Sequence, residues 1–198
     1  MNLLTSWSDF YANEAPWDVC HPQRAIVELV KRREIIGNRV LDVGCGAGEN
    51  SIYLAEQGFS VLGIDFTPEA VEIARRRAEK HDVYVEFFLG DVFELEEYFG
   101  EGEFESVVDS ALYHTVSIED VPRYIRQIST VLLGGGGYYM LCFSEKEPPG
   151  RGPRRVTKSE IRDSLSASFD IAYIRDTLIE SRIHEKGAKA YVVSARKI

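Results

Sequence analysis

Four aspartates close or follow short apolar runs in this chain: Asp42, Asp65, Asp91 and Asp109. The first leads into glycines at every second position, in the stretch Val40-Leu41-Asp42-Val43-Gly44-Cys45-Gly46-Ala47-Gly48-Glu49-Asn50. Glycine weakens helix and strand interiors, so this clustering needs a reason. A tight strand-to-helix turn is one, although a single glycine normally suffices for a turn. The other is a ligand that approaches the backbone closely, with the amides that open the next helix receiving an anionic group.

The spacing narrows the ligand. A dinucleotide-binding turn requires G-x-G-x-x-G, but Glu49 stands at the last required glycine and the order here is G-x-G-x-G. A carboxylate two residues before the glycines is badly placed for pyrophosphate. It suits a ligand that carries positive charge. S-adenosylmethionine is such a ligand, with a sulfonium, an ammonium, one carboxylate and no phosphate. Two readings compete with it: an NAD-linked oxidoreductase, disfavoured by Glu49, and a non-catalytic module that binds S-adenosylmethionine without an acceptor site.

The elements that must position these residues alternate. Arg39–Val43, Ser60–Ile64, Val83–Leu89, a segment around Ser106-Val107-Val108, and Tyr138–Phe143 read as strands. Helices are predicted over Glu49–Gln57, from Thr67-Pro68-Glu69 to about Lys80, from Ser117/Asp120 to about Leu132, and over Lys158–Leu165. Thr67, Ser117 and Thr157 carry N-capping chemistry, and Arg75–Arg77 fall on the predicted solvent face. Two final strands, Phe169–Arg175 and Lys189–Ala195, follow with no helix between them. Such alternation means an α/β fold with a parallel sheet covered on both faces, whose ligands bind beyond the carboxyl ends of the strands. The chain is expected to form a single domain over residues 1–198, with 1–36 as a cap holding a helix near Gln23–Arg33, and 37–198 as the cofactor-binding core. Ser144–Arg155, rich in proline, glycine and charge, is long enough to form a rim or lid.

Composition excludes several classes. The 198 residues are 44% hydrophobic and 28% charged, with a formal net charge of -9, which argues against a duplex nucleic-acid footprint. No apolar run approaches the ~20 residues of a membrane span, and the N-terminus lacks the basic start and apolar region of a signal peptide. Cys20, Cys45 and Cys142 are well separated, without a CxxC pair, and fit a reducing cytoplasm. His21, His81, His114 and His184 show no metal-ligand spacing, so no metal is expected. A monomer or homodimer is expected.

Asp42-x-Gly44-x-Gly46-x-Gly48, the strand-ending Asp65 and the Gly90-Asp91-Val92 stretch, taken in order, resemble the motifs of class I S-adenosylmethionine-dependent methyltransferases. The resemblance covers roughly residues 38–198. It implies a three-layer Rossmann-like fold with a mostly parallel seven-stranded sheet, an antiparallel last strand and helices on both faces. It implies that the glycines admit the methionine part of the cofactor and that Asp42 helps hold its ammonium. Asp65 would accept both ribose hydroxyls, Phe66 would pack on adenine, and Asp91 with the Val92 amide would meet the adenine edge. Asp109, ending the fourth strand, would face the methyl-transfer cleft. The run Leu133-Gly134-Gly135-Gly136-Gly137 departs from the basic residue and proline common there in the family.

A second resemblance bears on the methyl acceptor. ANEAPWDVCHPQRAIVEL, SALYHTV and GPRRVT resemble small-molecule methyltransferases of the thiopurine, halide and tellurite-resistance type. There the N-terminal part closes over the cofactor, and Trp17 matches an aromatic that contacts it. Phe10, Tyr11, Trp17 and Tyr113 are candidates for an acceptor wall, His114 for orienting or deprotonating an acceptor, and Arg154 and Arg155 for recruiting an anionic one. Phe10 and Tyr11 serve equally well as pins for the cap, and His21 reads as a turn residue. Transfer is expected by in-line displacement, driven by positioning and exclusion of water.

Overall fold

The computed structural model describes residues 7–150 and 152–198. Residues 1–6 of the expected cap and Arg151 of the rim loop lie outside them. Helices α1 (Trp7–Ala12) and α2 (Arg24–Lys31) precede β1 (Arg39–Val43). Then come α3 (Glu49–Glu56), β2 (Ser60–Asp65), α4 (Pro68–His81) and β3 (Glu86–Leu89). A 3-10 turn at Val92–Glu94 leads into α5 (Leu95–Tyr98), β4 (Phe104–Ser110) and a second 3-10 turn at Tyr113–Thr115. The chain finishes with α6 (Val121–Val131), β5 (Leu132–Phe143), α7 (Lys158–Leu165), β6 (Phe169–Ser181) and β7 (His184–Lys197). The strand order is β3-β2-β1-β4-β5-β7-β6. The first five strands pair in parallel, and β7 runs antiparallel to both β5 and β6. Strand order reverses between β1 and β4, where ligands of open α/β sheets bind.

Side chains on a strand alternate between faces. On β1, Leu41 and Val43 join the apolar layer under α6 and α7, with Tyr124, Ile128 and Leu165. Val40 joins the opposite layer with Leu54 of α3 and Ile26 and Leu29 of α2. Asp42 shares the Val40 face and therefore points toward α3. Burying an aliphatic side chain contributes about 1.5–3 kcal/mol, so Ile26 and Leu29 dock α2 firmly. By contrast α1 contributes no buried residue.

Three expectations change. Strand β3 is shorter than Val83–Leu89, beginning only at Glu86. The glycine run lies inside β5: between the pairs Phe104↔Leu132 and Ser106↔Gly137, β5 advances five residues while β4 advances two. That bulge needs no side chains. The last two strands are much longer than expected: they form a hairpin that pairs to Ser181↔His184, although β7 leaves β5 at Phe143↔Ala190. The hairpin tip thus projects past the carboxyl end of β5.

Candidate functional site

Beyond β1 the backbone turns through three left-handed glycines, Gly44 (φ 64), Gly46 (φ 55) and Gly48 (φ 85). At Gly48 the requirement is internal, because an added Cβ would lie 2.8 Å from Ala74 of α4 and 2.9 Å from the Phe87 ring. At Gly46 it would lie 2.6 Å from the Tyr11 hydroxyl of α1. The cradle is therefore shaped partly by the protein's own packing, and Gly46 is where the N-terminal segment meets the loop. Gly46 N donates to Asp65 Oδ2 at 2.9 Å, and Thr67 N donates to Asp65 Oδ1 at 2.8 Å. Asp65 thus fastens the glycine loop to the start of α4, while the Thr67 hydroxyl makes no capping bond. The Thr67 side chain and the Phe66 amide also support the Asp65 carboxylate.

Asp42 is 1% exposed. The Ser51 hydroxyl of α3 donates to its Oδ2 at 2.5 Å, and Oδ1 has no partner. Burial pushes its carboxyl up to about 7, with Asp109 and Asp65 adding to the rise and Ser51 opposing it. An unpartnered, desolvated carboxyl oxygen costs free energy unless something cationic or hydrogen-donating meets it. Together with the glycine cradle, that oxygen fits an ammonium-bearing cofactor.

Along the carboxyl ends of β2 and β3 the surface changes character. Phe66 is 55% exposed and Leu89 48% exposed, an apolar strip open to a flat ring. Asp91 is exposed, with one oxygen capping the 3-10 turn by accepting from Phe93 N at 2.9 Å. Val92 beside it is buried.

The fourth strand's end differs from the sequence expectation. Asp109 is fully buried and accepts four bonds: from Tyr124 and Tyr138 hydroxyls at 2.8 Å each, Leu112 N at 3.0 Å and Tyr113 N at 3.2 Å. All its lone pairs are used, so it braces the turn after β4 rather than facing a cleft. The Tyr113 ring is also fully buried. Its hydroxyl donates to Ser164 Oγ at 2.9 Å, and burial pushes it up to about 12. His114 is 3% exposed and its Nδ1 accepts from Phe143 N at 2.8 Å. Burial first, then Arg154 and Arg155, pull its pKa down to about 3, so the ring is neutral with its proton on Nε2. Neither residue presents a free base. Arg154 is also committed: its guanidinium donates to the Val116 and Tyr113 carbonyls and to Glu160. Arg155 donates to the Pro153 and Pro148 carbonyls.

The N-terminal segment brings the aromatics together. Trp17 packs against Trp7 at 5.1 Å, Phe10 at 5.0 Å and Tyr11 at 5.9 Å between ring centroids, and its indole Nε1 donates to the Tyr11 hydroxyl at 3.0 Å. The segment is moored by a two-pronged Arg77–Asp18 pair at 2.8 and 2.7 Å, and Arg77 also pairs with Glu49 at 2.8 Å. Arg77 therefore is not on a solvated face as the helix pattern suggested. Sequence reasoning also missed Tyr11 as the contact with Gly46, and Ser51, whose hydroxyl sits one turn into the helix after the glycines. A serine there was the available signal.

Comparison with known proteins gives the same outline. The model of a family described as "Methyltransferase domain" matches residues 40–136. A 2-heptyl-1-hydroxyquinolin-4(1H)-one methyltransferase of Mycobacteroides abscessus is 29% identical over 197 residues, 94% of this chain and 84% of that protein. A structure solved for the conversion of a disulfide bond into a thioacetal group during echinomycin biosynthesis superposes with a TM-score of 0.83 at 26% identity, over 95% of this chain and 87% of that one. The Burkholderia thailandensis 1,6-didemethyltoxoflavin-N1-methyltransferase, with bound 1,6-didemethyltoxoflavin and S-adenosylhomocysteine, superposes with a TM-score of 0.67 at 26% identity, over 96% and 81% of the two chains. With the sheet order, the left-handed glycine turn and the strand-ending acids in place, the chain belongs to the class I S-adenosylmethionine-dependent methyltransferases.

Proposed function

We propose that the protein transfers a methyl group from S-adenosylmethionine to a small, aromatic heterocyclic acceptor. The observation that carries the reading is the unpartnered, buried Oδ1 of Asp42 beside the left-handed Gly44–Gly48 turn. The small acceptor is supported by the relatives' named substrates, a hydroxyquinolone and a didemethyltoxoflavin.

Bound in this cradle, S-adenosylmethionine would supply an electrophilic methyl group for in-line transfer to the acceptor. Asp42 would take the ammonium, the opening amides of α3 the carboxylate, and Asp65 the ribose hydroxyls while it keeps Gly46 and Thr67 in place. Phe66 would cover one adenine face, and Asp91 and the Val92 amide would meet its edge. Trp17 and Tyr11, on a segment spanning residues 7–22, close over the glycine turn and exclude water. Asp109, Tyr113 and His114 position the chain between β4 and α6. With Tyr113 and His114 committed, the acceptor's own acidity supplies the nucleophile. Three free cysteines support a reducing, cytoplasmic setting, and no described helix is long and apolar enough to cross a membrane.

The test is calorimetric titration with S-adenosylmethionine, S-adenosylhomocysteine and NADH, followed by methyl transfer to a panel of hydroxylated and N–H heterocycles, thiols and halides. Binding of the first two ligands and transfer to a heterocycle is the expected result. Binding of NADH alone, or transfer only to thiols or halides, overturns the reading.

A further inference from the structure

Three carboxyl groups crowd the point where strand order reverses: Asp65 ending β2, Asp42 near the end of β1 and Asp109 on β4. They are 6%, 1% and 0% exposed. None takes part in the ion pairs found among the described residues. They are not equally provided for. Asp109 accepts four hydrogen bonds. Asp65 accepts two backbone amides at the start of α4 and in the glycine turn. Asp42 is served by Ser51 alone, through its hydroxyl and backbone amide, and leaves Oδ1 bare. A desolvated carboxyl so poorly supplied with donors, near two further buried carboxyls that burial also raises, favours its neutral form.

We propose that Asp42 holds a proton before the cofactor arrives and gives it up to solvent as the cofactor's ammonium takes its place, so that cofactor binding and proton release are one coupled event. The inference rests on the methyl-donor reading above. The O–H bond of the carboxyl breaks, its electron pair stays on Asp42 as carboxylate, and the proton passes to buffer. The new ion pair replaces the covalent proton as the compensating charge.

Every element packed around Asp42 bears on this balance. Ser51 of α3 and Asp65 of β2 share its face of the sheet, Asp109 of β4 lies on the opposite face, and the Cys45 thiol sits in the turn, with the Tyr11 phenol of α1 beyond Asp65. Burial raises both Cys45 and Tyr11, so both stay neutral and neither supplies compensating charge. Asp42 itself is raised to about 7. Above that pH the proton is already lost and binding releases none. Below it, each bound cofactor displaces up to one proton, and affinity falls by up to about tenfold per pH unit as pH drops.

Calorimetric titration of the full chain with S-adenosylhomocysteine tests this, in buffers of small and large ionisation enthalpy, at about pH 6, 7 and 8. The expected result is a buffer-dependent enthalpy: close to one proton released near pH 6, about half near pH 7 and little near pH 8. Asp42→Asn should bind with no buffer dependence. If that variant does not bind, carboxyl signals of 13C-aspartate-labelled wild type decide. A buried carboxyl that titrates near neutral pH in the free protein, and is absent from D42N, supports the inference. Binding with the same enthalpy in all buffers, or no aspartate titrating above about pH 5, overturns it while leaving the methyl-donor reading standing. Failure to bind S-adenosylhomocysteine at every pH overturns both.

Discussion

At Asp65 both carboxylate oxygens already hold backbone amides, Gly46 N at 2.9 Å and Thr67 N at 2.8 Å. Removing the carboxylate therefore costs structure as well as ligand contacts. Each buried donor left unmade costs about 1–3 kcal/mol. Asp65→Ala should lower stability by about 2 kcal/mol or more in chemical denaturation, and weaken cofactor binding from about tenfold to beyond a hundredfold by calorimetry. Binding within about threefold of wild type would remove Asp65 from the proposed site. Gly46→Val meets two obstacles at once, a φ of 55 and the Tyr11 hydroxyl 2.6 Å from its first carbon. It should abolish binding of both S-adenosylmethionine and its demethylated product. The Asp42 carboxyl makes stability depend on pH. Its folded value, about 7, is raised above the ordinary 3.8, so the folded state binds more protons than the unfolded state between those values. Its penalty is smallest at low pH and grows as pH rises toward 7. Asp42→Asn should therefore stabilise the free protein at pH 8, by up to about 4 kcal/mol at one pH unit per 1.36 kcal/mol, and by much less at pH 5. Denaturation midpoints of the two proteins at those pH values check this.

At the level of elements, α1 and α2 differ in how they are held. Helix α2 buries Ala25, Ile26 and Leu29, whereas α1 and the loop after it are tied down by polar and aromatic contacts. Those contacts are Asp18 to Arg77, Ser8 to Glu69 at 2.8 Å, Glu14 to Arg182 at 2.7 Å, and the rings around Trp17. Elements with few buried apolar contacts open at low free energy. The proposed lid, the stretch from α1 to Pro22, buries only Ala15 among its apolar side chains and is otherwise held by those polar and aromatic contacts. Arg77 is the keystone, because it serves Asp18 and Glu49 together and its loss strands two half-buried carboxylates. Arg77→Ala should leave the core folded and speed limited proteolysis before about Pro22 several-fold. Saturating S-adenosylhomocysteine should slow cleavage in the wild type and do so less in the variant. Equal cleavage of the wild type with and without ligand would return the segment to a passive extension.

For the molecule as a whole, the reversal of strand order between β1 and β4 sets where the ligand goes. The proposed cofactor site draws on the ends of β1, β2 and β3 and on α1 and α3, so it ties the N-terminal segment to the first half of the sheet. We expect residues 1–198 to behave as a single cooperative unit. Saturating S-adenosylhomocysteine should raise its stability by about 2.7 kcal/mol at a hundred times its dissociation constant. A single thermal transition that moves up with this ligand and not with NADH is the expected outcome. Two transitions, only one of them ligand-sensitive, would divide the chain into separate units.

The sequence by itself determined the strand–helix alternation, the left-handed glycine turn and the acids at the strand ends. These follow from short-range causes: hydrophobic periodicity, capping chemistry, and glycine's freedom at positive φ. Lys158–Leu165 matched residue for residue because Thr157 caps Glu160 N within one turn, at 3.1 Å. What only the tertiary structure decided depends on partners distant in the chain. Asp109 and Asp42 look alike as strand acids, yet Tyr124 and Tyr138, brought in by α6 and β5, satisfy one, while the other keeps a bare oxygen. His114 and Tyr113 looked like candidates for catalysis until Phe143 N and Ser164 claimed their polar atoms. Arg77 read as solvated until the N-terminal segment folded back 59 residues to bring Asp18 against it. Local pattern places a polar group at the end of an element; whether that group is free to react is settled by which distant donors reach it in the folded chain.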